Sequence, residues 1–167
     1  MIFIALGANL PSRFGDPPAT IMAAVSALGA AGIEVQKLSR LFLTAPVPIS
    51  DQPWFCNAVV AVETALSPQD LLTLLHSIEH DFGRVRQNQN EARILDLDII
   101  AYHDEIMQSE TITIPHPRAH QRGFVLYPLF DLAPVWVHPV YQQTILQLID
   151  GLDEEQTAKP MDMPHAV

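Results

Sequence analysis

The sequence contains few of the residues that build several common kinds of functional site. Its 167 residues include one cysteine, Cys56, which excludes an internal disulfide and a cysteine-rich zinc site. Only seven glycines are present, and neither a G-x-x-x-x-G-K-S/T pattern nor a G-x-G-x-x-G pattern occurs. A nucleotide, if one binds, must therefore be held by charged side chains rather than by a glycine-rich loop.

Positive charge is also scarce. Nine Lys and Arg residues stand against nineteen Asp and Glu residues, a formal net charge of −10, which argues against nucleic acid or an anionic membrane as a partner. No apolar run is long enough to span a bilayer, and no basic leader precedes the first apolar residues. We therefore expect a cytoplasmic monomer whose partners are small molecules.

The order of the predicted elements favours an α+β fold. A composition that is 49% hydrophobic and 17% charged predicts one globular domain over residues 1–152, followed by a poorly ordered acidic tail over 153–167. Apolar patterns and helix caps predict strand, helix, strand, strand, helix, strand, which is the ferredoxin-like sandwich of an antiparallel sheet and helices. A C-terminal helical and edge-strand extension follows. The predicted strands cover 2–6, 33–44, 55–66 and 94–102, the predicted helices 16–28, 67–83, 123–132 and 144–149, and a short edge strand 111–114.

The few cations are concentrated in one part of the chain. Five of the nine are arginines between positions 84 and 122, namely Arg84, Arg86, Arg93, Arg118 and Arg122. Because the guanidinium group stays charged and donates two hydrogen bonds in one plane, this cluster favours a small, strongly anionic ligand such as a phosphate ester. The alternative, a set of surface ion pairs, stays open at this point.

Two aspartates lie among these arginines. Asp96 and Asp98 alternate along a predicted strand, so they project from one face while Leu97 projects from the other. Two adjacent carboxylates repel each other unless a cation lies between them, and Mg²⁺ is commonly held by one or two carboxylates together with substrate phosphates. The pair therefore predicts a magnesium site, with a solvated strand face as the alternative.

Six short motifs occur together in this sequence. They are Ala5 to Leu10, Asp51-Gln52-Pro53 with Phe55 and Asn57, Gly83-Arg84-Val85-Arg86, Arg93 to Ile99, Pro115-His116-Pro117-Arg118, and Arg122 to Leu126. In this combination the sequence resembles one family, the 6-hydroxymethyl-7,8-dihydropterin pyrophosphokinases, over residues 2 to about 140. The resemblance implies transfer of a diphosphate from ATP to the hydroxymethyl oxygen of the dihydropterin, with release of AMP, in folate biosynthesis. It also implies the ferredoxin-like fold.

The resemblance further implies a set of site residues. The implied catalytic residues are Arg84, Arg93, Asp96 and Asp98, and the two aspartates would bridge two Mg²⁺ ions. The ATP-binding residues implied in addition are Leu72, Glu79, Arg86, Ile99, Ile112, His116 and Arg122. The pterin-binding residues implied are Thr44, Ala45, Val47, Phe55, Asn57 and Phe124.

Two departures from the family pattern carry predictions of their own. Where well-known members have an arginine–tryptophan pair in a loop that closes over both substrates, this chain reads Gln87-Asn88-Gln89-Asn90-Glu91-Ala92. Thr111 also stands where some members have another arginine. We therefore predict weaker nucleotide binding or a slower closing step than in members with the complete loop.

Three other functions fit the sequence less well. A relative that binds the pterin but has lost catalysis would have little reason to keep the aspartate pair. A ferredoxin-like RNA-binding module conflicts with the net charge of −10. A metal-dependent phosphatase leaves the apolar and aromatic segment 44–57 unexplained.

Overall fold

The structure, a computed structural model, describes residues 1–83 and 93–161. In these residues a six-stranded antiparallel sheet is combined with four α-helices and a separate two-stranded ribbon. The strands are β1 (Ile2–Ala8), β2 (Glu34–Leu38), β3 (Phe42–Thr44), β4 (Phe55–Glu63), β5 (Asp96–Tyr102), β6 (Met107–Gln108), β7 (Thr113–Ile114) and β8 (Ala158–Pro160). The helices are α1 (Pro17–Ala30), α2 (Pro68–Asp81), α3 (Gly123–Leu132) and α4 (Ile145–Asp150), and a 3-10 turn covers Ala119–Gln121.

The order of the strands confirms the ferredoxin-like prediction. Strand β1 lies between β5 and β4, and β2 and β3 both pair with the other edge of β4. The first seven elements, β1 to β5 with α1 and α2, therefore follow the predicted β-α-β-β-α-β order, with the predicted strand over 33–44 divided into β2 and β3. Ser39, between the two pieces, donates its backbone N–H to the Val59 carbonyl and accepts from the Val59 N–H through its hydroxyl.

Side-chain capping sets the start of the two long helices. The carboxylate of Asp16 accepts a hydrogen bond from the Ala19 N–H at 3.0 Å, and two prolines follow it. The hydroxyl of Ser67 accepts from the Asp70 N–H at 3.2 Å, and Pro68 occupies the first helical position. Both starts combine a polar N-cap with a proline whose missing N–H costs nothing there.

The two faces of the sheet are covered differently. Helices α1 and α2 pack over one face, where residues such as Ile4, Leu6, Val60 and Leu97 form the larger core. Helices α3 and α4 form a smaller core with Phe3 and other residues of the opposite face. Because side chains alternate between the two faces along each strand, one sheet supports a core on each face.

Part of the C-terminal segment is ordered, contrary to the prediction. Residues from 153 onward are expected from the sequence to be poorly ordered, but Ala158–Pro160 forms β8 and pairs with β3 in the register Thr44↔Ala158. The Met161 N–H donates to the Leu41 carbonyl, and the Met161 side chain packs against the larger core. A three-residue strand has little intrinsic signal, and Pro160 is tolerated because the strand lies at the edge of the sheet. Residues 162–167 of the predicted tail lie outside the described residues.

No helix within residues 1–83 and 93–161 has the length and apolarity needed to cross a membrane.

Shortening the side chain of Leu75, a core residue of α2, tests the assignment of the larger core. Leu75 is fully buried, so Leu75→Ala removes apolar contacts and leaves a cavity, and we expect a loss of about 2–5 kcal/mol in the free energy of unfolding. Leu146 in α4 is 54% exposed, and the matched change Leu146→Ala is expected to alter stability by less than about 0.5 kcal/mol. Urea denaturation of both variants measures the difference, and equal effects would contradict this assignment of the core.

The single thiol offers a second test. Cys56 is 2% exposed, and burial, helped by the negative charge of Asp16, raises the pKa of its thiol to about 12. At pH 8 the thiolate fraction is then about 10⁻⁴, so the folded protein should not react with a thiol reagent within minutes. One equivalent should react after unfolding in guanidinium chloride. Rapid labelling of the folded protein would show that Cys56 is accessible.

Candidate active site

The part of the second sheet face that α3 and α4 leave uncovered is the floor of a cavity of about 850 Å³. Three adjacent strands contribute to this floor, with Gly7 from β1, Phe55 and Asn57 from β4, and Asp96 and Asp98 from β5. Three loop regions, the start of α3 and the C-terminal segment contribute to the walls. Wall residues include Ala45, Val47, Gln52, His116, Arg118, Arg122, Phe124, Gln143 and Gln156.

Gly7 makes room at the centre of the floor. It pairs with Asn57 on one side and with Asp96 on the other. A Cβ atom at position 7 would lie 2.5 Å from the Asn57 Oδ1 atom, which real Cβ atoms do not tolerate. Asn57 Nδ2 in turn donates to the Thr44 hydroxyl at 2.6 Å. The missing side chain at Gly7 therefore allows the Asn57 amide to lie across β1 in a fixed orientation.

The carboxylates form the other end of the floor. Asp96 and Asp98 project on the cavity side of β5, and Leu97 and Ile99 project into the larger core, as the alternation predicts. Arg93 Nη1 lies 3.6 Å from Asp96 Oδ1. Within residues 1–83 and 93–161, no group of three or more His, Cys, Asp or Glu side chains is arranged so that it could hold a metal ion by itself. Two carboxylates with open space above them suit Mg²⁺, which takes its remaining ligands from phosphates and water.

The segment after β7 adds two arginines, Arg118 and Arg122, and a hydrogen-bond donor, His116, to the same end of the cavity. His116 donates its backbone N–H to the Ile100 carbonyl, and its Nδ1 atom accepts from the Arg118 N–H at 3.1 Å. Burial lowers the pKa of His116, against the effect of Asp98, and the charges of Arg122 and Arg118 lower it further. A neutral imidazole whose Nδ1 accepts a hydrogen bond carries its proton on Nε2 and can donate it to a ligand.

A buried asparagine joins three loops around the cavity. Asn9 is 2% exposed, and its Oδ1 atom accepts from the Arg93 N–H at 2.6 Å. Its Nδ2 atom donates to Gln52 Oε1 and to the Pro53 carbonyl, both at 3.0 Å. Its backbone N–H donates to the Arg93 carbonyl. Asn9 thereby fixes the backbone of Arg93 relative to the loop that precedes Phe55.

A model of the 7,8-dihydro-6-hydroxymethylpterin-pyrophosphokinase (HPPK) family matches residues 3–134 of this sequence. The chain belongs to the HPPK family. It is 39% identical over 158 residues to the 2-amino-4-hydroxy-6-hydroxymethyldihydropteridine pyrophosphokinase of Haemophilus influenzae, covering 94% of this chain and 96% of that one. It is 42% identical over 139 residues to the folic acid synthesis protein fol1 of Pneumocystis carinii, covering 83% of this chain.

The lengths of these relatives differ. The chain spans 18% of the Pneumocystis protein. A solved structure, the wild-type HPPK-DHPS of Plasmodium falciparum with pteroate, superposes with a TM-score of 0.67 at 15% identity, covering 89% of this chain and 41% of that one. This similarity supports the fold, which agrees with the observed order of strands.

Most of the residues implied by the HPPK resemblance lie in this cavity. The lining includes Ala45, Val47, Phe55, Asn57, Arg93, Asp96, Asp98, His116, Arg122 and Phe124. Thr44 is buried, and its hydroxyl accepts the hydrogen bond from Asn57 Nδ2. Arg84 and Arg86, like the variant loop 87–92, lie outside the described residues, so their roles stay predictions.

The remaining four implied residues do not line the cavity. Leu72, Ile99 and Ile112 belong to or pack against the larger core, on the α2 side of the sheet. Glu79 is 1% exposed and accepts the Leu97 N–H at 2.8 Å through Oε2. Their roles in nucleotide binding stay predictions, and any ligand that reaches both sets must extend around the edge of β5.

The sequence predicts no individual role for three residues at or beside the cavity. Asn9 lies in the motif Ala5 to Leu10, where it is a polar residue directly after a buried strand. Arg118 lies in the arginine cluster and in the motif Pro115 to Arg118, and it is exposed at the cavity wall. Gln156 lies in the segment predicted to be poorly ordered, and no local signal in the sequence marks it.

Replacing Asn9 tests the network of loops. Asn9→Ala leaves the Arg93 N–H without its side-chain acceptor, and an unsatisfied buried donor costs about 1–3 kcal/mol. We therefore expect the free energy of unfolding to fall by about that amount, which urea denaturation measures. Unchanged stability would show that the Asn9 contacts contribute little.

Proposed function

We propose that this chain transfers a diphosphate group from ATP to the hydroxymethyl oxygen of 6-hydroxymethyl-7,8-dihydropterin and releases AMP. One observation carries the proposal: a single cavity joins an aromatic and amide end to a carboxylate and arginine end. The two ends lie on strands β4 and β5, with β1 between them, so their backbones are about 10 Å apart. Membership of the HPPK family and the name of the Haemophilus relative support the same reaction.

The aromatic end fits a flat heterocycle with several donors and acceptors. Phe55 and Phe124 line the cavity and can stack on its two faces. Asn57 uses one Nδ2 proton on Thr44, which leaves a second N–H and the carbonyl oxygen for the ligand. Backbone groups at Ala45 and Val47 complete this end. The fixed Asn57 amide would select the edge of the pterin by its hydrogen-bond pattern.

The charged end fits a polyphosphate. Arg93 and Arg122 line it, and His116 presents an Nε2–H donor beside them. Asp96 and Asp98 would hold the magnesium ions, which when bound neutralise charge on the transferred phosphoryl groups. Burial lowers the pKa of Arg122. Because the ordinary pKa of an arginine lies far above neutral pH, the guanidinium still stays charged there.

Positioning accounts for most of the proposed mechanism. The pterin hydroxyl attacks the β-phosphorus of ATP in line, the bond from this phosphorus to the bridging oxygen breaks and AMP leaves with that oxygen, and Asp98 or a water molecule accepts the hydroxyl proton. Leu72, Glu79, Ile99 and Ile112 would contact the adenosine part beyond the edge of β5. A cytoplasmic location and a monomeric state stay predictions from the sequence.

Pterin-dependent release of AMP tests the function directly. A coupled assay with ATP and magnesium should give AMP only when the dihydropterin is added. AMP release without the pterin, or calorimetric binding of the pterin without AMP release, would contradict the proposed transfer; the second result would favour a relative that has lost catalysis.

Replacing Asp98 tests the charged end. Asp98→Ala should lower kcat by at least about a thousandfold, because the carboxylate pair is broken, while the circular dichroism spectrum stays unchanged. Asp104→Ala removes an exposed carboxylate just beyond β5 and should leave kcat within about twofold. Full activity of the Asp98 variant would eliminate the magnesium proposal.

A further inference from the structure

The C-terminal segment makes two consecutive contacts with the aromatic end of the cavity. Gln156 Oε1 accepts the Gly123 N–H at 3.0 Å, and the Thr157 carbonyl accepts the Ala45 N–H at 3.2 Å. Gly123 precedes Phe124, and Ala45 follows Thr44. One segment therefore touches the backbone beside residues on two opposite walls of the proposed pterin pocket.

The contact with Gly123 replaces a missing helix cap. Gly123 is the first residue of α3, and the Arg122 side chain that precedes it makes no capping hydrogen bond. Helix N-termini leave N–H groups without partners, and here a residue 33 positions away provides the acceptor. A Cβ atom at position 123 would lie 3.2 Å from Gln156 Cβ and 3.3 Å from the Gln156 carbonyl oxygen. The start of α3 is thus held directly against Gln156.

The contact with Ala45 is continuous with the sheet. Strand β8 follows at Ala158 and pairs with β3, so the position of Thr157 is set by the ladder that also carries Thr44. The Gln156 backbone N–H donates to the Asp153 carbonyl, and both residues line the cavity. The segment is therefore anchored on the side of the sheet and reaches towards α3.

We infer that Gln156 is a positioning residue that sets the distance between the Phe124 wall and the Ala45 wall of the pterin pocket. The inference rests on the proposed function, because it assigns the pterin to this end. Gln156 acts through the Gly123 N–H, which orients the first turn of α3 and with it the Phe124 ring. Arg122, which precedes Gly123 and lies over the Phe124 ring, also belongs to the phosphate end, so loss of the acceptor should weaken pterin binding much more than ATP binding.

Two substitutions isolate the acceptor atom. Gln156→Met keeps the length and packing of the side chain but removes Oε1, and we expect the KM and calorimetric Kd for the pterin to rise about tenfold, with the KM for ATP within about twofold. Gln156→Glu restores an oxygen acceptor at a helix N-terminus and should recover pterin affinity to within about threefold of the parent chain. Glu155→Ala, an exposed neighbour, is the matched control and should change neither KM.

The outcomes separate the inference from the proposed function. If the parent chain releases AMP in the presence of pterin and Gln156→Met leaves the pterin KM unchanged, the inference is wrong and the function stands. Equal increases in both KM values, or no recovery with Gln156→Glu, would indicate a general structural role and overturn the inference. If the parent chain neither binds the pterin nor releases AMP, the proposed function and the inference fall together.

Discussion

The alternation of side chains across β4, β1 and β5 is the constraint on which the site depends. Even-numbered residues of β1, such as Ile4 and Leu6, are fixed in the larger core under α1 and α2. Their burial forces Gly7 onto the opposite, uncovered face, together with Asn57 and Asp96 of the neighbouring strands. A shift of one residue in either pairing would turn the amide or the carboxylates into the core. The hydrophobic core thus specifies the arrangement of polar groups in the cavity.

Charge is distributed unevenly between the cavity and the rest of the surface. The chain carries a net charge of −10, yet three of the seven basic residues that the structure describes, Arg93, Arg118 and Arg122, line one cavity. Within it Arg93 lies near Asp96, so these two opposite charges partly balance each other. A field confined to a cleft attracts a small polyanion, whereas the acidic surface around it repels larger ones such as nucleic acid.

Local sequence signals were sufficient for much of the fold and for the floor of the site. The N-caps Ser67 and Asp16 and the alternation of Asp96, Leu97 and Asp98 act within a few residues, so they can be identified without a structure. The division of the strand over 33–44 could not, because the contacts of Ser39 with Val59 are tertiary. Asn9 belongs to the motif Ala5 to Leu10, but its contacts, like those of Gln156, cannot be predicted for the same reason, since their partners lie 84 and 33 residues away. The placement of Glu79 beneath β5 likewise depends on packing between α2 and the sheet.

The position of β8 has a consequence for the order in which the sheet and the cavity form. The core strands β1, β4 and β5 and both long helices precede residue 103, so the main sheet can pair before residues 156–161 have been synthesised. Residues 156–161 reach the aromatic end of the cavity only afterwards, by joining an edge that is already formed. Synthesis from the N-terminus therefore yields the folded sheet first and the complete aromatic end of the cavity later. A chain interrupted after α4 would retain the carboxylates and arginines of the described site but would have one wall of the pocket unsupported.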